Sequence, residues 1–419
     1  MERLIFHVDV NSAYLSWEAA RRVARGEADL RLVPSAIGGD RDKRTGVILA
    51  KSIPAKAFHV TTGEPVAAAL QKCPQLVLAK PDFHLYKACS RAFMEICSRY
   101  APVVEKFSID ECFLDMTGTD RMYPDPLAVA YAIRDAIRTE LGFTVNIGVS
   151  RNKLLAKMAS DFEKPDKVHL LPPEDVPARL WPLPVQALFG VGPSAARRLN
   201  GMGICTIGEL AAADRGRLVE VFGARGDTFW NYANGRESDP VTKKHARDST
   251  YGNSVTTPGD LTAPAEADAT LLALCESVGS RLRMDGRTAR VVSVQLVDNA
   301  FRRKSHQVTL DNPTNSTDAL YRIARQLLRQ AWPGRPVRLV GVTAERTGTD
   351  NFEQLDLFSD PTRRDKQEKL DRAADALRAR FGEGAVLRAK LLHPDEKTAA
   401  PRALGAAKAR DKRRSGEGR

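Results

Sequence analysis

The chain has 419 residues, with 64 Lys or Arg against 52 Asp or Glu, a net charge of +12. That length predicts two to four domains, and a 43% hydrophobic content is enough for real cores. No apolar run reaches the ~18–20 residues of a membrane span, no signal-peptide pattern opens the chain, and the scattered cysteines (Cys73, Cys89, Cys97, Cys112, Cys205, Cys275) contain no C-x-x-C pair. A membrane protein, a disulfide scaffold and a zinc module are therefore not expected; a soluble, cytoplasmic protein with a polyanionic partner is. Residues 396–419 hold eight basic and three acidic residues, so most of the positive excess lies in the body of the chain.

Residues 3–10 alternate, with Leu4, Phe6, Val8 and Val10 against Ile5, His7 and Asp9, which predicts a strand ending near Asp9. A helix is predicted over 12–24, an extended run over 45–53 and a helix over 86–100. Residues 103–115 read as strand, turn and strand, with Ser108-Ile109-Asp110-Glu111 near the middle. A helix over 127–141, a strand over 143–149 and a basic-faced helix over 151–162 follow. This alternation predicts an α+β core across the first ~165 residues. A proline-rich entry then leads to short helices broken by glycine over 185–235. From residue 250 the order is β-α-β-β-α-β, with strands near 251–256, 290–298, 305–310 and 337–344. Residues 242–345 carry 15 basic and 10 acidic residues. Beyond 347 the chain is polar, and a loosely ordered tail with a helix near 363–381 is expected.

Asp110 and Glu111 form, by themselves, an ordinary solvated turn. Adjacent carboxylates also repel unless a cation compensates, and Mg²⁺ is held by one or two carboxylates plus substrate phosphates. Asp9 at a strand end with a tight Asp-Glu pair elsewhere is a donor set for two metals and in-line phosphoryl displacement.

Three segments, His7-Val8-Asp9-Val10-Asn11-Ser12-Ala13-Tyr14, Ser108-Ile109-Asp110-Glu111 and Gly148-Val149-Ser150-Arg151-Asn152-Lys153-Leu154-Leu155-Ala156-Lys157, occur in this order and lead to Glu163-Lys164-Pro165. Together they resemble the Y-family DNA polymerases, most closely the DNA polymerase IV (DinB) type, over residues 1–345. The resemblance implies an α+β right-hand fold: a ferredoxin-like palm (1–20 and 75–165), small fingers (21–74), a helical helix-hairpin-helix thumb (166–240) and a β-α-β-β-α-β little finger (245–346). It implies a monomeric, bacterial, cytoplasmic enzyme of DNA damage tolerance and repair, extending primer-template DNA from dNTPs with low fidelity and no proofreading. Asp9, Asp110 and Glu111, with the Val10 carbonyl, would hold two Mg²⁺ ions, and Glu111 would be the catalytic carboxylate. Tyr14 would be the steric gate against ribonucleotides. Asn11, Ser12, Ala13, Lys56 and Lys157 would bind the nucleotide.

The chain departs from the pattern at Ile53, where a tyrosine is usual, at Ala50, where a threonine is common, and at Lys56, where most relatives carry arginine. Two hydroxyl donors and a bidentate guanidinium are missing, and Lys51 is a candidate compensating charge. Leu188-Phe189-Gly190-Val191-Gly192-Pro193 looks like the hairpin of a helix-hairpin-helix, with Gly190 and Gly192 meeting a DNA phosphate. Arg302 and Arg303, expected with Lys304 at the turn between the second and third little-finger strands, and Arg338 on the last strand are further DNA-contact candidates. Gln354-Leu355-Asp356-Leu357-Phe358 resembles the bacterial sliding-clamp-binding pentapeptide, in which Gln354, Leu355, Leu357 and Phe358 would contact the clamp. The alternatives are a non-catalytic DNA-binding repair accessory protein on the same fold, which would have lost the acidic centre, and a palm-fold nucleotide cyclase, which would not need the hairpin or the basic C-terminal domain.

Overall fold

A computed structural model describes residues 2–39, 46–243, 250–349, 361–382 and 384–391. The pentapeptide 354–358 and the basic end after Ala399 lie outside them. The chain forms two compact units, one within residues 1–245 and one chiefly from 246 onward. No helix among the described residues is long and apolar enough to cross a membrane.

The first unit begins with β1 (Ile5–Val10) and α1 (Ala13–Ala24). Next come β2 (Ser35–Gly38), β3 (Ile48–Lys51), the one-turn α2 (Ile53–Lys56), α3 (Val66–Lys72) and β4 (Val77–Ala79). These strands make a small sheet of order β3-β2-β4, with its own apolar cluster around Ile48, Val60, Val66 and Cys73. The extended run expected over 45–53 thus ends at Lys51. There Ser52 caps α2 through the Ala55 N–H, and Pro54 occupies a first-turn position that suits it.

α4 (Phe83–Tyr100), the hairpin strands β5 (Val103–Lys106) and β6 (Glu111–Asp115), α5 (Pro126–Leu141), β7 (Val145–Ser150), α6 (Lys153–Ser160) and β8 (Val168–Leu170) complete the main sheet. Its order is β5-β6-β1-β7-β8. The units β1, α4, β5, β6, α5 and β7 make the ferredoxin-like arrangement, and α1 and the small sheet are inserted after β1. Alternation along β1 sorts its side chains. Phe6, Val8 and Val10 enter the core with Tyr86, Phe93 and Ile96 of α4 and Ile133 and Ile137 of α5. Ile5, His7 and Asp9 face the other way, and Ile5 packs with Ala156 of α6. The first unit ends in short helices, α7 (Pro193–Gly201), α8 (Ile207–Ala212), α9 (Arg215–Phe222) and α10 (Ala224–Ala233). Their core takes in Leu154, Leu155 and Met158, so α6 is packed on two sides.

The second unit contains β9 (Tyr251–Leu261), α11 (Asp268–Met284), β10 (Thr288–Asp298), β11 (Arg303–Thr314), α12 (Thr317–Ala331) and β12 (Val337–Gly348). The sheet order is β11-β10-β12-β9, so each helical crossover skips one strand. Both helices share a core with Val292, Val294, Leu296, Val340 and Val342, and the opposite face, with Ser293, Gln295 and Thr343, is only half-buried. Arg303 and Lys304 are the first residues of β11, not turn residues as expected. The turn is shorter than the sequence suggests because Asp298 folds it: its carboxylate accepts from the Ala300 and Arg302 N–H groups.

The helix expected near 363–381 is present. α13 (Pro361–Phe381) is fastened to this unit by a buried ionic cluster. Arg283 meets Asp375 at 2.7 Å and Asp371 at 3.4 Å. Asp371 also accepts from the Thr317 N–H at 2.9 Å, capping α12, and from Arg388 at 2.9 Å. Glu276 takes both Arg378 and Arg388. A polar composition hid this contact from a pattern that looks for apolar stripes. Asp371→Ala should destabilise this unit by about 3 kcal/mol, the low end for breaking a buried ion pair, since Arg283 keeps Asp375. Hydrogen exchange checks this: protection over 317–320 and 366–381 should fall while β1 and β7 keep theirs. Unchanged protection in α13 would refute the fastening.

Candidate active site

Register brings the acidic residues together. β1 pairs antiparallel with β6, and Asp9 is the direct cross-strand partner of Glu111, so the two carboxylates leave the sheet on one face. The Val10 N–H donates to the Asp110 carbonyl at 3.0 Å and holds the β5-β6 turn against the end of β1. Ser108 Oγ donates to Asp110 at 2.6 Å. Within the turn, the Phe107 and Ser108 N–H groups both donate to the Glu111 carbonyl.

α6 supplies the opposing charge. It approaches β7 so closely that a Cβ at Gly148 would lie 1.9 Å from the Ala156 carbonyl oxygen and 2.5 Å from the Ser160 nitrogen. Only glycine permits that approach. Asn152 caps the helix through the Leu155 N–H. Lys157 Nζ then meets Glu111 at 2.9 Å, and His7 Nε2 stands 3.4 Å from the same carboxylate oxygen. His7 Nδ1 is 2.8 Å from Ser160 Oγ, whose hydroxyl donates to the Lys157 carbonyl. Lys164 pairs with Asp9 and, at 2.7 Å, with Asp161.

These environments push the carboxyls apart. Burial raises the Asp9 carboxyl to about 6, against the opposing pull of Lys164. Burial is also the largest single influence on Glu111, but the hydrogen bond from Lys157 and the nearby His7 ring together outweigh it and hold that carboxyl at about 2. Burial lowers the His7 imidazole. The acids are hard oxygen donors of the kind Mg²⁺ takes. Among the described residues, no three His, Cys, Asp or Glu side chains are gathered around one point. Lysines stand beside Asp9 and Glu111 instead.

Asn11 lies between this cluster and α1. Its side chain is fully engaged, donating to Asn146 at 3.0 Å and accepting from Thr144 Oγ1 and the Asp166 N–H. Ser12 has a left-handed backbone (φ 48°) and makes no side-chain cap, so α1 begins at Ala13 with N–H groups directed past its end. Tyr14 follows, half-buried. Its ring stacks on Tyr86 at 4.7 Å and meets Phe83 and Trp17 edge-on. Lys56 is exposed at the end of α2, and Ile53 is 57% exposed. Gly190 has φ +89° and Gly192 precedes α7, so the hairpin turn is formed as its sequence predicts. In the second unit Arg302 is tied to Asp298 at 3.0 Å. Arg338 lies over the Phe301 ring at 4.2 Å.

Sequence reading missed His7, Ser160 and the direct pairing of Lys164 with Asp9. The alternation that put His7 and Asp9 on one face of β1 was the available signal for His7. Lys164 stood in the matching Glu163-Lys164-Pro165 segment, but no periodicity pointed to its pairing with Asp9, because it reaches Asp9 from an irregular segment.

Three family descriptions match the chain: the impB/mucB/samB family over residues 8–161, its helix-hairpin-helix motif over 173–204 and its C-terminal domain over 249–357. A DNA polymerase IV of Clostridium acetobutylicum is 40% identical, covering 95% of this chain and 100% of its own length. One from Acetivibrio thermocellus is 38% identical over 94% and 98%. DNA polymerase IV 2 of Bacillus subtilis is 36% identical over 93% and 95%. Among solved structures, a Y-family DNA polymerase chimera superposes with a TM-score of 0.72 at 23% identity, covering 82% of this chain and 98% of its own. The chain belongs to the impB/mucB/samB family, among the Y-family DNA polymerases of the DNA polymerase IV type.

Proposed function

We propose that this protein is a template-directed DNA polymerase of the translesion type, in which Asp9, Asp110 and Glu111 hold the catalytic metal. The observation that carries the proposal is the cross-strand pairing of Asp9 with Glu111, with Asp110 one residue away in the turn. A divalent metal is required by such an enzyme, and two Mg²⁺ ions suit this all-oxygen set with the Val10 carbonyl as a further donor. Bound there, the metal would activate the primer 3′-hydroxyl and stabilise charge on the phosphates.

The chain's own residues supply the rest. Lys164 pairs with Asp9 and Lys157 with Glu111, and both compensate carboxylates that would otherwise repel one another. Lys157 is 12% exposed and committed to Glu111. Lys164, 36% exposed and also paired with Asp161, would turn from Asp9 to a dNTP triphosphate once divalent charge stands beside that carboxylate. The first N–H groups of α1 at Ser12 and Ala13 add donors for the phosphates, as helix starts do. Lys56 adds a charge from the small sheet. Asn11 acts by holding the start of α1, since its own polar atoms are taken. Tyr14, held by Tyr86, is assigned the role of excluding a ribose 2′-hydroxyl.

In domain terms the main sheet is the palm, the small sheet the fingers, the helices α7–α10 the thumb, and the second unit from β9 to β12 the little finger. Gly190, Gly192, Arg303 and Arg338 are assigned to the DNA backbone, with Arg302 joining them once Asp298 releases it. Residues 354–358 are assigned to the sliding clamp. The protein works as a monomer in the bacterial cytoplasm.

Primer extension with Mg²⁺ and dNTPs is the direct test. Asp110→Asn or Glu111→Gln should lower incorporation roughly 10²–10³-fold, the usual cost of removing one transition-state stabiliser, with primer-template binding retained. Extension at the parent rate by either variant would remove the metal-centre assignment. Tyr14→Ala should raise ribonucleotide incorporation relative to deoxynucleotide on the order of tenfold; an unchanged ratio would exclude Tyr14 as the gate. Deleting 354–358 should abolish stimulation by the sliding clamp while leaving clamp-free extension intact. Persistence of that stimulation would refute the clamp assignment.

A further inference from the structure

The Lys157 ammonium is enclosed by aromatic rings. It lies 5.5 Å from the Phe107 ring centroid and 5.6 Å from that of Phe189, while donating to Glu111 at 2.9 Å. Phe107 and Phe189 meet edge-on at 6.2 Å, and Phe189 in turn stacks on Tyr232 of α10 at 6.5 Å and 21°. The Phe189 N–H donates to Met158 Sδ at 3.4 Å. The two rings come from separate places. Phe107 opens the turn that carries Asp110 and Glu111. Phe189 belongs to the hairpin segment and is joined directly to Gly190. An ammonium between two ring faces is attracted by both quadrupoles, and enclosure at this site keeps water from competing for it.

We propose that Phe189 is a positioning residue for DNA synthesis: with Phe107 it cages Lys157, and the caged ammonium fixes the Glu111 carboxylate for its catalytic task. The inference rests on Glu111 being the catalytic carboxylate. The cage also makes the hairpin turn and the acidic turn parts of one contact, so a displacement of the hairpin from its DNA-bound position is felt at Glu111. Bulk alone does not serve here. A leucine at 189 keeps an apolar, though smaller, side chain and has no π face for the ammonium.

The test is single-turnover primer extension by the full chain carrying Phe189→Leu, Phe189→Trp, Lys157→Met, or Phe189→Leu together with Lys157→Met. Phe189→Leu should slow nucleotide addition about tenfold, from the loss of one cation–π face at an enclosed site, with primer-template affinity unchanged. Phe189→Trp should restore the rate, and Phe189→Leu should add nothing in the Lys157→Met background. Parent-like addition by Phe189→Leu overturns the proposal. So does a loss that appears in DNA affinity instead of rate, a failure of Phe189→Trp to rescue, or an equal loss with Lys157 absent. Thermal unfolding of each variant separates misfolding from these results, and Phe189→Tyr replaces any variant that fails to fold. A fully active Glu111→Gln enzyme would instead overturn the underlying catalytic assignment, whatever Phe189 does.

Discussion

The close approach of α6 to β7 at Gly148 is the constraint on which the site depends. A single Cβ there would overlap backbone atoms of Ala156 and Ser160, and neither can yield, because α6 is held on its other side by Leu154, Leu155 and Met158 in the helical core. Interiors packed at crystal-like density convert such an overlap into displacement of a whole element. Moving α6 outward would take Lys157 from Glu111 and Ser160 from His7. The glycine acts at a distance on carboxylates it never touches.

Charge follows from this geometry. Strand alternation directs His7 and Asp9 of β1 and Glu111 of β6 toward the α6 side of the sheet, where water is scarce and an isolated carboxylate is costly. Burial pushes both carboxyls up; at Glu111 the neighbouring His7 and Lys157 outweigh it, while at Asp9 it prevails over Lys164 and the more weakly acting Lys157, so the two carboxyls settle near 2 and near 6.

The fold was largely legible because its periodicities are local. β1, α4, α5 and β7 follow from alternation and helical spacing, and their caps, Asp82 for α4 and Asp125 for α5, stand where the sequence allows. The grouping of Asp9, Asp110 and Glu111 was legible only through the resemblance, since the pairing of β1 with β6 joins residues about a hundred positions apart and no local pattern encodes a register. Three short strands, β2, β4 and β8, were not seen; each has only three or four residues, too few to show a period. The ionic fastening of α13 was missed for a different reason. Its partners are charged residues that any sequence reading assigns to solvent.

The departures at Ile53 and Lys56 acquire a structural setting. Ile53 projects into solvent from α2 where a phenol would supply a hydroxyl, and the exposed ammonium of Lys56 offers one compact charge in place of a forked pair of donors. A point charge attracts phosphate without fixing its orientation. Orientation must then come from the other side of the pocket, where α1 begins at a left-handed Ser12 and Asn11 is bound by three separate groups. Those backbone donors do not depend on side-chain rotamers and are rigid because β1 and α1 are buried. On the proposed nucleotide assignment, a grip rigid on the main-sheet side and loose on the small-sheet side would leave the sugar and phosphates located by the main sheet. That division of labour suits an enzyme that must extend primers opposite irregular templates.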